Sequence, residues 1–522
     1  MKWASQKPTV KLISIIQKPY DLAIASARTC YSSKGIISIE EISPDEQSRL
    51  LRDKIAKNTK EAGHLTTRQH AHFVFALENV SRSCIWSFLH SHPYYNSEQV
   101  SQRYVKVKEE NFLIPQLPEI SDKIYRNTLR LQMDAYLILI ELVKPTVELE
   151  YYKIFPHRKK SREKWDKTIL KKSYEVARYC LPIATYAYLY HTISALTLLR
   201  YHRMQAMLDT PCEQTELVSQ MIDQVVKLDP DFKKDLSEPY NIEETPEARF
   251  FFSLNKASHP LREDGNFIQE FDLSLKNLSS KLIDYSAHAE KTLANAVRNI
   301  FGASISQLSD EKAIDLVLHP NQNKYFSDTL NPALHTKLSR ALHHVHFTFR
   351  KKLSHTADSQ EQRHRTLPSS RPILEAHYIG QPDFIIPQVI KKNEHSLEIY
   401  LDVMKKTYDA INQLLEQGVS FEKAHYLLPN SHAIRFEESG DLLSFHHKWK
   451  LRTCYNAQEE IFYSTIDELK QVSQLFPNIG NHILAPCYLR KEAHIKPYCP
   501  EGDRYCGIPV WKQPLAEYQR LI

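Results

Sequence analysis

Apolar residues recur at three- and four-residue spacing through most of this chain, so helix dominates its predicted structure. Residues 125–142, 397–415 and 459–475 each carry one apolar helical face. Residues 45–61 read as a polar, amphipathic helix. Strand-like alternation appears at residues 70–77 and 345–349. Residues Cys180 to Leu199 lack a formal charge for 20 positions, which is long enough to suggest a membrane span. Pro182 and the tyrosines, histidines and hydroxyls of that stretch make it too polar for hydrocarbon, and it reads as a buried helix.

The pattern then repeats. Ser173-Tyr-Glu-Val-Ala-Arg-Tyr-Cys-Leu-Pro182 matches Ser420-Phe-Glu-Lys-Ala-His-Tyr-Leu-Leu-Pro429 at six of ten positions. Asn111-Phe-Leu-Ile-Pro-Gln116 answers to Asp383-Phe-Ile-Ile-Pro-Gln388, and Ser101-Gln-Arg-Tyr104 is paired with Glu361-Gln-Arg-His364. Three matches in one order indicate two copies of one unit. The expected division is a first copy over 1–235, a connecting region over 236–280, a second, divergent copy over 281–480, and a cysteine-containing extension over 481–522. In the first copy the last step is 25 residues longer, with the surplus around His157-Arg-Lys-Lys-Ser-Arg162. That basic run reads as a solvated loop, with phosphate or nucleic-acid contact as the alternative.

Composition changes this picture in three ways. A net charge of +6 over 522 residues is small, so nucleic acid is not an expected partner. The first 30 residues carry no signal-peptide pattern, and the eight cysteines read as thiols or metal ligands of a cytoplasmic protein. The 10 glycines form neither G-x-G-x-x-G nor G-x-x-x-x-G-K, so a bound nucleotide must be held by side chains.

Three segments could do that. Ser97 to Tyr104 places Glu98, Ser101, Gln102 and Arg103 in one loop, where a guanidinium fork and a hydroxyl match phosphate geometry. Gly63-His64-Leu-Thr66-Thr-Arg-Gln-His70 is a polar turn feeding a strand. Arg452 to Ile461 reads as a loop entering a helix.

Together these segments resemble flavin-dependent thymidylate synthase, the ThyX type. The resemblance rests on Arg28-Thr-Cys-Tyr31, Gly63-His64, Gln69-His70, Ser81-Arg82, Ser101-Gln-Arg-Tyr104, Glu175-Val-Ala-Arg178, and Arg452 with Ala457-Gln-Glu-Glu-Ile461. It implies an α+β fold: two tandem ThyX-like domains, each with helices around a central antiparallel sheet. It implies reductive methylation of dUMP to dTMP, with FAD and NADPH and with methylenetetrahydrofolate as carbon donor. Glu98, Ser101, Gln102, Arg103 and Arg178 would bind substrate, and Arg452 would face the uracil as the catalytic residue. His64, Thr66, His90 and His92 would contact the flavin. Where the family reads Arg-His-Arg, the first copy has His90-Ser91-His92. In the family the nucleotide site lies between subunits, so the two copies are expected to share one composite site. The expected assembly is a homo-oligomer of two-copy chains. A relative acting on another pyrimidine nucleotide, or a non-catalytic nucleotide-binding paralogue, are the alternatives.

Beyond the resemblance lie Cys487, Cys499 and Cys506 with His494 among them. Three thiolates and an imidazole would complete a tetrahedral zinc site; the other reading is redox-active or buried thiols.

Overall fold

The computed structural model describes residues 1–206, 209–255, 266–520 and 522. A four-stranded antiparallel sheet has the order β1 (Thr9–Ile15), β2 (His72–Ser81), β4 (Tyr186–Ser194), β3 (Asn96–Gln99). Alternation in β2 sends Phe73, Phe75 and Leu77 to one buried face, where they pack with Leu189, Ile193 and a helix at Pro211–Leu228. A three-stranded antiparallel sheet has the order β5 (Ser280–Tyr285), β6 (His346–Ser354), β7 (Ala433–Asp441). The helices expected from periodicity are present as Glu46–Glu61, Glu119–Ile154, Glu394–Glu416 and Glu459–Leu475. Asp45 caps the first of these through the Ser48 N–H.

The expected buried helix at 180–199 is instead the central strand β4, entered from the turn Arg178–Cys180 and followed by a helix at Ala195–Arg203. The reason is local: Tyr, Leu, His and Ile alternate between the two sides of a sheet, and Ser194 then caps the new helix through the Thr197 N–H. The basic run at 157–162 is an exposed turn leading into the helix Arg162–Ala177. Residues 256–265 of the connecting region lie outside the described residues.

The two sheets meet through a reciprocal set of bonds. The Ala184 N–H donates to the Tyr426 carbonyl at 2.9 Å, and the Ser431 N–H to the Tyr179 carbonyl at 2.9 Å. The Ile183 N–H reaches Leu428 at 2.8 Å, and the Asn430 N–H reaches Leu181 at 2.7 Å. The side chains repeat the exchange. Glu213 accepts from the Ser81 N–H, the Ser81 hydroxyl and Tyr426; Glu460 accepts from the Ser354 N–H, the Ser354 hydroxyl and Tyr179. Each copy thus anchors a tyrosine of the other, which is the pattern of a self-complementary two-fold interface within one chain. The largest apolar core lies across this junction, where the helices Glu119–Ile154 and Glu394–Glu416 pack together.

Strand pairing also fixes how the copies correspond. Ser97 lies opposite His191 on β4, and Ser369 lies opposite Glu438 at the matching position of β7. The segment after Ser369 is therefore the counterpart of the loop at 101–104. Residues 361–364, paired with that loop on sequence, instead follow the short helix His355–Glu361, as His90 to His92 follow the helical turns Arg82–Leu89. The shared Gln-Arg dipeptide had outweighed the register, which backbone hydrogen bonds set.

Candidate functional site

The end of β3 delivers the loop at 101–103 into a cleft between the copies. The Ser101 hydroxyl accepts the Arg103 N–H at 3.2 Å and so tightens the turn. From the first copy the cleft is lined by Arg82, Ser101, Gln102, Arg103 and Arg178. From the second come Thr356, Ser359, Gln360, Arg363 and Asn430.

Charge in this cleft is unbalanced. Arg103 is paired, with Nε 2.8 Å from Glu175, and its Nη2 donates to the Asn456 carbonyl at 2.8 Å. Among the described residues the partners of Arg82 are neutral, Gln99 Oε1 at 2.8 Å and the Val100 carbonyl at 2.6 Å. Arg178 donates to Gln458 Oε1 at 2.9 Å. The Nε atoms of Arg82 and Arg178 and the Nε2 of Gln102 are buried without a partner. Burial, then the neighbouring Arg178, pushes the Arg82 guanidinium down to about 10, still cationic at neutral pH. Buried cations and donors left unpaired are costly, and an anion would relieve that cost.

A second chamber adjoins the first. Its walls include His90, Tyr95, Ser97, Tyr190, Arg363 and Arg365. Glu98, paired with Arg363 at 2.6 Å, stands at the border of both chambers. Arg365 lies 5.1 Å over the Tyr95 ring. His90 packs against Tyr95 with the rings tilted by 34°, and His92 bonds the Tyr201 hydroxyl at 2.9 Å. Burial pushes His90 well below its ordinary pKa and His92 down to about 4, so both are neutral at pH 7. Neither can replace an arginine. The cations here are Arg363 and Arg365, and Arg363-His364-Arg365 reads Arg-His-Arg. The signature missing from the first copy thus stands in the second. It was legible in the sequence, but the alignment of residues 361–364 with residues 101–104 hid it.

Arg452 ends the helix Leu442–Arg452, and its Nη2 donates to the Gln360 carbonyl at 3.0 Å. Its Nε lies 3.7 Å from Glu361 Oε1. Behind it sits a wholly buried ionic cluster. Lys351 Nζ lies 3.0, 3.2 and 2.8 Å from Glu361, Glu438 and Glu468. Lys448 contacts the same three carboxylates. At the matching positions the first copy has Leu77, His191, Tyr201 and Met221 for Lys351, Glu438, Lys448 and Glu468. An uncharged cluster in one copy is an ionic lattice in the other, and the position of Arg452 is held by Gln205 in the first copy.

Other expected site residues fall elsewhere. His64 and Thr66 are exposed around the turn Leu65–Gln69, and neither lines the cleft chambers. Cys487, His494, Cys499 and Cys506 do not close on a metal: among the described residues no group of three or more His, Cys, Asp or Glu is placed to hold one. Cys487 and Cys506 instead pack against Tyr455, Phe462 and Val510, and burial raises both thiols. The residues sequence reading missed are Arg82, Gln360, Arg363 and Arg365.

The model of the thymidylate synthase complementing protein family matches residues 11–231 and again 281–478. The chain belongs to that family. It is similar to the flavin-dependent thymidylate synthase of Clostridium tetani, 29% identical over 226 residues, which is 43% of this chain and 85% of that protein. The Geobacter sulfurreducens enzyme of the same name is 27% identical over 184 residues, 35% of this chain and 74% of its own length. That of Pyrococcus furiosus is 28% identical over 170 residues, 31% and 68%. In this family member each chamber draws residues from both matched regions, and residues 479–522 lie beyond them. Among the described residues no helix is long and apolar enough to cross a membrane.

Proposed function

We propose that this chain is a flavin-dependent thymidylate synthase with one composite site, converting dUMP to dTMP. The observation that carries the reading is the set of buried guanidiniums, Arg82 and Arg178, that face one cleft with no carboxylate partner. In this reading they receive the phosphate of dUMP together with Ser101, Gln102 and Arg103. Arg452, contributed by the second copy, stabilises negative charge developing on the uracil ring. Arg363 and Arg365 hold FAD in the adjoining chamber; their fixed charge suits its diphosphate, and the exposed Tyr190 offers it an aromatic face. Bound FAD, reduced by NADPH, would supply the hydride, and methylenetetrahydrofolate the carbon. The pseudo-equivalent site cannot repeat this. His425, the counterpart of Arg178, is bonded to Ser83 at 2.9 Å and held neutral by burial.

The test is complementation of a bacterium lacking thymidylate synthase. Growth without thymidine is expected from the full chain and not from Arg452→Gln. Soluble, yellow protein that fails to support growth would overturn the substrate; colourless protein that binds dUMP would overturn catalysis.

A further inference from the structure

A third cavity lies at the C-terminal extension, outside both matched regions. It is about 220 Å³ and is lined by Tyr151, Arg158, Lys172, Tyr455, Arg504 and Arg520. Arg520 is held there by its backbone: its N–H donates to the Tyr463 hydroxyl at 3.2 Å, and the Gln519 N–H to Tyr455 at 2.9 Å. The Arg520 side chain is another matter. The residue is 7% exposed, and among the described residues Nε, Nη1 and Nη2 all lack a partner. A guanidinium is hard to leave so, because its five N–H groups must otherwise give up water for nothing. Lys172, on the facing helix Arg162–Ala177, makes no ion pair among the described residues either. Glu175 and Glu459 are the carboxylates that feel Arg520, and Glu175 is already bonded to Arg103. The field on Glu175 comes from four cations: Arg103, Lys172, Arg520 and Arg178. Glu150 and Asp503 also line the cavity, Glu150 paired with Lys153 at 2.8 Å, against Arg158, Lys172, Arg504 and Arg520, so cations outnumber anions here, as they do in the composite cleft.

The two sites are neighbours through shared walls. Lys172, Asn456 and Arg504 also line an intermediate cavity, which Arg103 and Tyr104 share with the composite cleft.

We infer that the Arg520–Lys172 cavity is a second anion site, which takes an oxyanion group, phosphate or carboxylate, at the far end of a ligand that enters the composite cleft. Arg520 supplies the planar fork and Lys172 the point charge. An anion there accepts from one edge of the Arg520 guanidinium as a bidentate partner, and the extension becomes part of the binding surface.

The inference does not depend on the reaction assigned above, and its test is read in anion binding. The full chain, saturated with dUMP, is titrated with inorganic pyrophosphate and with γ-linked triglutamate, by calorimetry and by thermal shift. The wild type is expected to bind at least one of them, with affinity at least tenfold weaker in Arg520→Gln and in Lys172→Gln. The tighter probe names the source, a nucleotide cofactor's phosphates or a poly-carboxylate tail. dUMP affinity is expected to be unchanged by Arg520→Gln, and the melting temperature without anion no lower than wild type. Equal probe affinity in wild type and Arg520→Gln, or a lower melting temperature with no anion response, would overturn the inference. A protein that binds no dUMP would count against the proposed reaction alone, since pyrophosphate binding is still compared between wild type and Arg520→Gln.

Discussion

Arg452 and Glu361 face each other, Nε to Oε1, at 3.7 Å, and Glu361 is also held by the buried Lys351 at 3.0 Å. The arginine at the site therefore rests on a lattice of charges behind it. Glu361→Gln leaves two buried lysines and Arg452 facing two carboxylates. Removing one partner of a buried network costs about 3–5 kcal/mol, far more than a surface pair. Urea unfolding is expected to show that loss. A change below about 1 kcal/mol would mean that the cluster does not act as a unit.

Arg178 behaves in the opposite way. It is buried without an ion-pair partner, so Arg178→Gln is expected to leave stability unchanged or raised. On the proposed reading it also loses charge-assisted hydrogen bonds to the nucleotide phosphate, worth roughly 1.5–3 kcal/mol, or about 10–150-fold in Kd. Calorimetry with dUMP measures it. Tighter or equal binding in the variant would remove Arg178 from the phosphate site. His425→Ala, at the pseudo-equivalent position, is expected to leave dUMP affinity as it was.

The chamber assignment separates arginines from histidines. Arg365→Ala is expected to purify with less flavin, seen as reduced absorbance near 450 nm per chain. His92→Ala is expected to retain it, because His92 is neutral and already bonded to Tyr201 at 2.9 Å. The reverse order would return the flavin contacts to the first copy's histidines.

Tyr179 and Tyr426 hold the copies together through Glu460 and Glu213, at 2.6 and 2.7 Å. Each Tyr→Phe change leaves a buried carboxylate short of one donor. The expected loss is about 1–3 kcal/mol for each. Chemical denaturation of the two variants checks it, and a loss in one only would show that the junction is not energetically reciprocal.

Glu213 also gives a pH dependence. Burial pushes its carboxyl up to about 7, against the hydrogen bonds from Ser81 and Tyr426 that favour the charged form. An unfolded Glu titrates at about 4.3, so the folded state holds the extra proton between those values. Stability supplied by that proton is present in full below the unfolded pKa and is lost as pH rises through about 7, on the order of 3 kcal/mol in all. Glu213→Gln is expected to flatten the fall of stability between pH 5 and 7 relative to wild type. Parallel curves for the two proteins would place the titration elsewhere.

The sequence by itself determined the long helices, the presence of strands around 70–77 and 345–349, the internal correspondence around Pro182 and Pro429, and the family. These are local or pairwise signals: apolar periodicity, and identities between two stretches of one chain. It did not give β4, because a charge-free run fits a buried helix and a buried strand alike until its neighbours are known. It also mispaired residues 361–364, because a shared dipeptide carries no information about register. Only the tertiary structure decided that Arg363 lines one cleft with Ser101 to Arg103 and that Arg365 lines the chamber beside it. It also decided that Lys351, Lys448 and three glutamates neutralise one another behind Arg452. Both facts depend on contacts between separate elements, whose charges could be buried only because folding brought their partners within reach.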